Sequence, residues 1–326
     1  MSSITGRSEI DAAPSGDMAG STSRRGDRVF AGLSVGSGAV VVALIAAVAV
    51  FLLARAVPSL MNDKANFLTE RVWNPGGSEP AFGIPDLLWV TVISSVVAMV
   101  ISVPVSVAVA LFLTQYAPPR LARVFAAAVD LLAAVPSIVY GLWGAYIVLT
   151  YLTTVQNGIG KVLGWIPLFS LDSTPIPNSV FAGSVVLSIM ILPIVTALSR
   201  EVFAQTPAAH KEAALALGAT RWEVIRTAVL PFGRPGVISA AMLGLGRALG
   251  ETIAVLFIIN QVSQFSFSIF TGGETFASRI ARDAGEFDTP AKTGAYIAAG
   301  LVLFVLTFAV NAVARVVIER RKAFTE

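Results

Sequence analysis

The residues most able to do chemistry stand where a charge is least welcome. Arg247 and Glu251 lie in Gly244-Leu245-Gly246-Arg247-Ala248-Leu249-Gly250-Glu251-Thr252, within a run from Pro235 to Gly273 that carries no other charge. Built as a helix from Pro235, this run puts Arg247 about 18 Å along the axis, near the middle of a hydrocarbon layer about 30 Å thick. A guanidinium there costs at least about 2.5 to 3.5 kcal/mol on insertion scales, so it needs a partner or a water-filled path. Glu251 follows at the i,i+4 spacing that places both side chains on one helix face and predicts an ion pair. One use is structural: a neutral pair packed between helices, with Gly246 and Gly250 forming a GxxxG surface for close approach. The other is a path: Arg247 offers bidentate donors to a tetrahedral oxyanion, while Glu251 holds it or releases it on gating and Thr252 stands beside them. The two uses are compatible, because an arriving anion can open a resting pair.

The remaining side chains exclude other chemistries. The 326 residues include no Cys and a single His, His210, so a thiolate nucleophile, a disulfide framework and a Cys- or His-built metal site are all ruled out. No catalytic set is found. Gly158-Ile159-Gly160-Lys161 is not a phosphate-binding loop, because Val155 occupies the position of the required first glycine, and the chain is expected to hold no cofactor of its own. A net charge of +3 spread over loops gives no reason to expect a nucleic-acid partner. Asp130 reads as an interfacial cap in preference to a partner for an inner-loop arginine. Pro136 and Gly141 are expected to bend the third span, Ser137 and Tyr140 are weaker candidates to face a pore, and His210 reads as solvent-exposed.

The elements that must position Arg247 are membrane helices. Hydrophobic residues make up 55% of the chain and charged residues 13%, about half the charge content of a soluble domain. Phe30 to Ala54, Leu87 to Pro119, Leu131 to Gly160, Ser173 to Ser199 and Thr293 to Ala314 carry no Asp, Glu, Lys or Arg, and each is long enough for one span of about 20 residues. With the Pro235 to Gly273 run they make six, so both termini share a side. Arg24, Arg25 and Arg28 precede the first span, which is too long for a secretory core and reads as a retained anchor. Of the 23 Lys and Arg, fifteen fall on the side of the termini and seven opposite; the positive-inside rule makes the termini cytoplasmic. The expected organisation is a disordered cytoplasmic tail over 1–28, a first span over 29–56, an external loop over 57–84, a five-span core over 85–318 with a cytoplasmic loop over 200–234, and a short tail over 319–326. The fold class is an all-α integral membrane protein in contact with membrane lipid.

The loop over 200–234 is more ordered than a linker needs. Thr206-Pro207 reads as an N-cap and first helical position, leading through Ala208 and Ala209 to Leu217, with Gly218 as a left-handed stop. Thr220-Arg221-Trp222-Glu223 is a capping box opening a second helix expected to end near Pro231. Periodicity alone fits an ordinary amphipathic connector. The letters say more: Glu212-Ala213-Ala214, three residues, Gly218, nine residues, Ala228, one residue, Leu230-Pro231 resembles the EAA motif of ABC importer permeases, with Ala228 where the pattern has Ile. That resemblance implies a type I importer permease fold in which Glu212, Ala213, Ala214, Gly218 and Arg221 couple the chain to an ATPase.

The stretch Gly244 to Val255 narrows the resemblance to the permease subunits of bacterial phosphate ABC importers, the PstC type, and Ala133 to Gly144 and Pro104 to Pro118 agree with it. What the resemblance implies is a heterodimer with a PstA-like permease subunit, a PstB-like ATPase dimer holding ATP and Mg inside, a PstS-like phosphate-binding protein outside, and inorganic phosphate as cargo. Three rival readings stand beside it: an ABC permease for molybdate, sulfate or an organic solute; an intramembrane enzyme using Glu251 or Asp130, which without His or Cys is a poor catalytic set; and an ion-driven secondary carrier, which would have no use for an ATPase-docking loop.

Overall fold

A computed structural model describes residues 24–76, 79–171, 176–262 and 264–322. They belong to two units, 1–51 and 52–326. The described part of the first, residues 24–51, is helical throughout and forms most of α1, Arg24–Met61. The helix therefore takes in 24–28, which the sequence assigned to a tail, and 57–61, assigned to a loop; residues 1–23 lie outside the described residues. Among the described residues six helices are long and apolar enough to cross a membrane: Gly26–Met61, Pro85–Tyr116, Ser137–Leu163, Val180–Ala204, Arg221–Gly250 and Pro290–Val316.

The second unit is centred on α6, Val180–Ala204, whose Ala182, Val186, Ile191 and Val195 are fully buried. Against it lies α2, Pro85–Leu111, and the face α2 turns inward is small rather than oily: Ser95, Ala98, Ser102, Ser106 and Ala110 are all buried. Between helices in lipid, where hydrophobic driving force is lacking, small side chains allow close contact and hydroxyls add hydrogen bonds. Ser106 Oγ donates to the Leu192 carbonyl at 3.1 Å. Against both α6 and α2 runs α9, Leu230–Gly250, admitted by Gly244, where a Cβ would come within 2.7 Å of Ile191.

Three sequence boundaries move. The third span begins at Ser137, because Pro136 ends the preceding segment and leaves α3, Pro119–Ala133, as a separate helix; a proline cannot extend the α3 ladder. From there α4, Ser137–Trp143, passes through one wide π turn, Gly144–Val148, into α5, Leu149–Leu163. The fourth span begins at Val180 instead of Ser173, and 172–175 lie outside the described residues. The helix expected to stop near Pro231 does not stop. The short α8, Arg221–Val224, leads through a π turn, Ile225–Val229, directly into α9, and that wider turn accommodates the missing proline N–H. The connection between spans four and five is accordingly 205–220, not 200–234.

Residues 62–76 and 79–84 form a small lid with an antiparallel pair, β1 Trp73–Asn74 and β2 Ala81–Phe82. It rests on α11, Phe276–Arg282, and α12, Pro290–Lys322. Here charge is buried: Arg279 reaches Glu274 and Asp283 at 2.6 Å each, Arg282 reaches Glu274 at 2.6 Å, and Tyr296 Oη donates to Asp283 at 2.8 Å. Burial works against the Arg279 charge, but the Glu274 hydrogen bond and the Glu274 and Asp283 carboxylates outweigh it and hold its pKa above the ordinary arginine value. Removing the cation leaves two carboxylates buried without it. Arg279→Met is expected to lower stability by about 3 to 5 kcal/mol, the cost of breaking a buried ion network on one side only, read as a loss of thermal stability in detergent; an unchanged unfolding temperature would refute the role of the network.

Candidate functional site

Span five carries both sequence-predicted regions, one at each end. At its foot, α7, Ala208–Ala216, begins at Ala208 with Pro207 at the cap. Thr206 does not cap it as expected; its Oγ1 is buried without a partner, because the helix starts one residue later than its side chain could serve. Gly218 does stop α7 in the left-handed region, at φ 83°. The Thr220 capping box forms in both directions: Glu223 Oε2 accepts from Thr220 N at 2.7 Å, and Thr220 Oγ1 accepts from Glu223 N at 3.4 Å. Glu212, Ala213 and His210 are exposed, and Ala214 turns partly inward. Sequence reading missed the most prominent side chain here. Leu217 is 91% exposed and Trp222 57%, apolar groups on the terminal side that two adjacent helix signals brought to the surface.

At the other end, Arg247 is half-buried in the last turn of α9. Its Nε is buried with no hydrogen-bond partner. The expected ion pair with Glu251 is not formed, because α9 ends at Gly250 and Glu251 is extended (φ −70°, ψ 125°), which takes it off the shared helix face. Glu251 is buried and its Oε1 accepts instead from Ala254 N at 3.3 Å, at the start of α10, Ile253–Ile258. Thr252 Oγ1 donates to the Gly250 carbonyl at 3.2 Å. The break in the span thus lies one turn beyond Arg247. Among the described residues no other part of the chain lies within 4 Å of a Cβ built on Gly246 or Gly250, the helix's own backbone aside; the close approach to α6 is made by Gly244 instead.

The neighbours of the break are structural. Gly141 lets α4 cross α10, where a Cβ would meet Ala254 Cα at 2.8 Å. Tyr140 is buried and its Oη donates to the Leu132 carbonyl at 2.8 Å, while Arg247 acts on it electrostatically. Asp130, read from sequence as a cap, instead pairs with Arg200 at 3.2 Å, because α3 lies along the end of α6. Among the described residues no cluster of His, Asp and Glu could hold a metal ion. What the site can do is present a guanidinium with unused donors to an oxyanion at the helix break that ends span five.

Among the described residues, six helices long and apolar enough to cross a membrane, with an ordered helix between the fourth and the fifth, define a multi-span membrane protein. The model of the family "Binding-protein-dependent transport system inner membrane component" matches residues 102–323, and the chain belongs to that family, as a multi-pass protein of the plasma membrane. Among relatives it is similar to the phosphate transport system permease protein PstC 2 of Mycobacterium tuberculosis, 53% identical over 298 residues that cover 90% of this chain and 92% of that protein. It is likewise similar to the phosphate transport system permease protein PstC of Mycobacterium leprae, 55% identical over 273 residues (82% and 86%), and to that of Mesorhizobium japonicum, 38% identical over 304 residues (92% of each). A solved inward-facing MetNI methionine ABC transporter chain shares the fold, with a TM-score of 0.50 at 17% identity, covering 73% of this chain and 94% of that one.

Open space surrounds the Gly218 Cα, so a methyl group added there meets only the backbone penalty of the left-handed conformation. Gly218→Ala is expected to weaken the turn by about 1 kcal/mol, read as about a fivefold rise in hydrogen exchange at the α7 amides; unchanged exchange would mean the turn does not hold α7.

Proposed function

We propose that this chain is the transmembrane permease subunit of an ATP-driven importer that moves inorganic phosphate into the cell. The observation that carries the reading is the unpaired, half-buried guanidinium of Arg247 beside a helix break, together with relatives named as phosphate transport permeases. Arg247 takes the anion in the pathway, and Thr252 and Glu251 set the break that gates it. Since Glu251 is already committed to α10, Arg247 is free to bind without first being released. The chain performs no covalent chemistry.

The same reading assigns the surfaces. Glu212, Ala213, Ala214 and Gly218, with the protruding Leu217, form the knob that enters a PstB-like ATPase dimer, which holds ATP and Mg; Arg221 opens the helix that receives the push. The open face at Gly246 and Gly250 suits close packing against a PstA-like second permease subunit. A PstS-like phosphate-binding protein delivers cargo to the opposite side.

Radiolabelled phosphate uptake into proteoliposomes holding the chain with these partners tests the reading. ATP-dependent uptake is expected, with sulfate and molybdate failing to compete, and Arg247→Ala is expected to reduce it to the level without ATP while assembly is kept. Near-normal uptake in that variant would defeat the assigned role, and competition by sulfate or molybdate would reassign the cargo. For the knob, Leu217→Asp is expected to abolish co-purification of the ATPase without changing the thermal stability of the chain, since the side chain it replaces is exposed; retained co-purification would place the contact elsewhere.

A further inference from the structure

Between the π turn Phe112–Tyr116 that follows α2 and helices α3, α6 and α7 lies a recess of about 540 Å³ lined by Thr114, Arg123, Arg200, Glu201 and Lys211. A second recess of about 150 Å³ adjoins it, lined by Gln115, Lys211 and Arg221 among others, so Lys211 stands between the two. Four cations from four different helices thus face this surface against the single lining carboxylate of Glu201, while Asp130 engages Arg200 at 3.2 Å. Among the described residues Arg123, Lys211 and Arg221 form no ion pair or side-chain hydrogen bond. Gln115 Nε2 and Arg200 Nη1 are buried without a partner.

The positive-inside rule accounts for basic residues on this side, and Arg123 and Arg221 are exposed, but it does not account for the placement of Lys211. Lys211 is half-buried and turned from the exposed Glu212 and Ala213 toward the core, although a lysine on so short a helix could reach water freely. Gathering like charges raises the free energy of the empty surface, and a multivalent oxyanion relieves it. A phosphate group fits this donor set: its oxygens can accept from two guanidinium groups and an ammonium at once, with the Thr114 hydroxyl and the Gln115 amide beside them. Basic pockets between membrane helices on the inner side also receive lipid headgroups, and α3 presents exposed Leu121, Val124 and Phe125 next to its two arginines.

We propose that this recess is a second anion site, separate from the pathway, that takes a phosphate group from either an anionic lipid headgroup or free inorganic phosphate. The bound group links Lys211 of α7 to Arg123 of α3 and Arg200 of α6, and so fixes the segment that meets the ATPase against the membrane core. The site does not depend on which solute is carried, since Arg247 lies at the opposite end of the helix that starts at Arg221.

The test uses the whole complex in nanodiscs, without nucleotide or binding protein. One arm measures equilibrium binding of radiolabelled inorganic phosphate in phosphatidylcholine discs; the other counts phosphatidylglycerol retained from mixed discs by native mass spectrometry. The double variant Arg123→Gln, Lys211→Gln is expected to weaken retention at least about tenfold, on the order of one charge-assisted hydrogen bond, whereas the single charge-keeping variant Lys211→Arg retains it and Arg247→Ala leaves this component unchanged. Loss confined to the first arm identifies free phosphate and loss confined to the second identifies the headgroup; both support the site. Equal retention by wild type and double variant in both arms, or none by wild type because an acidic group of the ATPase fills the recess, overturns it.

Discussion

In hydrocarbon no water is available to a backbone N–H or C=O, so wherever a membrane helix is interrupted the chain must supply the missing hydrogen bonds itself. This protein interrupts its spans repeatedly and answers that requirement each time. At Pro136 the Leu132 carbonyl is taken up by the Tyr140 hydroxyl. At Gly250 the Ala254 amide of α10 is met by the Glu251 carboxylate, and the Gly250 carbonyl by Thr252. The backbone after α10 is bonded to the start of α6, through Val180 N to the Thr271 carbonyl at 2.8 Å, Phe181 N to that of Ile269 at 2.7 Å and Asn260 N to that of Asn178 at 3.0 Å. Only because these bonds are made can a helix end next to Arg247 instead of running past it.

The packing follows the same solvent logic. α2, α6 and α9 meet through serines, alanines and glycines, which gain contact by closeness where oil offers no reward for hiding oil. Charge is placed at the two water-facing ends. Outside, Glu274, Arg279, Arg282 and Asp283 form a closed network that neutralises itself under the 62–84 lid. On the terminal side, the basic residues are left largely uncompensated. The difference between a satisfied cluster and an unsatisfied one separates a fastening from a binding surface.

Much of this was readable in the letters because the bilayer sets a length that composition must meet: charge-free stretches located six spans, and a lone arginine inside one of them located the pathway candidate. Gly218 and the Thr220 box were legible because each is a local backbone device. What sequence could not give depends on neighbours far along the chain. The 131–160 run is uncharged throughout, so the last residues of α3 and the span after Pro136 read as one element, although α3 ends at Ala133 and the span begins at Ser137. Glu251 sits at ion-pair spacing only if the helix continues, and the helix is ended by what Glu251 itself does for α10. Leu217, apolar and near a helix end, gave no sign that it would stand clear of the surface.

The uninterrupted path from α8 to α9 has a mechanical consequence. Thirty residues from Arg221 to Gly250 make a rod about 45 Å long at 1.5 Å per residue. Its foot is clamped to α7 by a glycine turn and a two-way cap, and its tip is the break beside Arg247. A tilt of about 5° at the foot carries the tip of such a rod about 4 Å, more than the width of an oxygen atom. A small change of angle at the foot is thus magnified at the Arg247 end of the same helix, which makes it a lever arm by length alone.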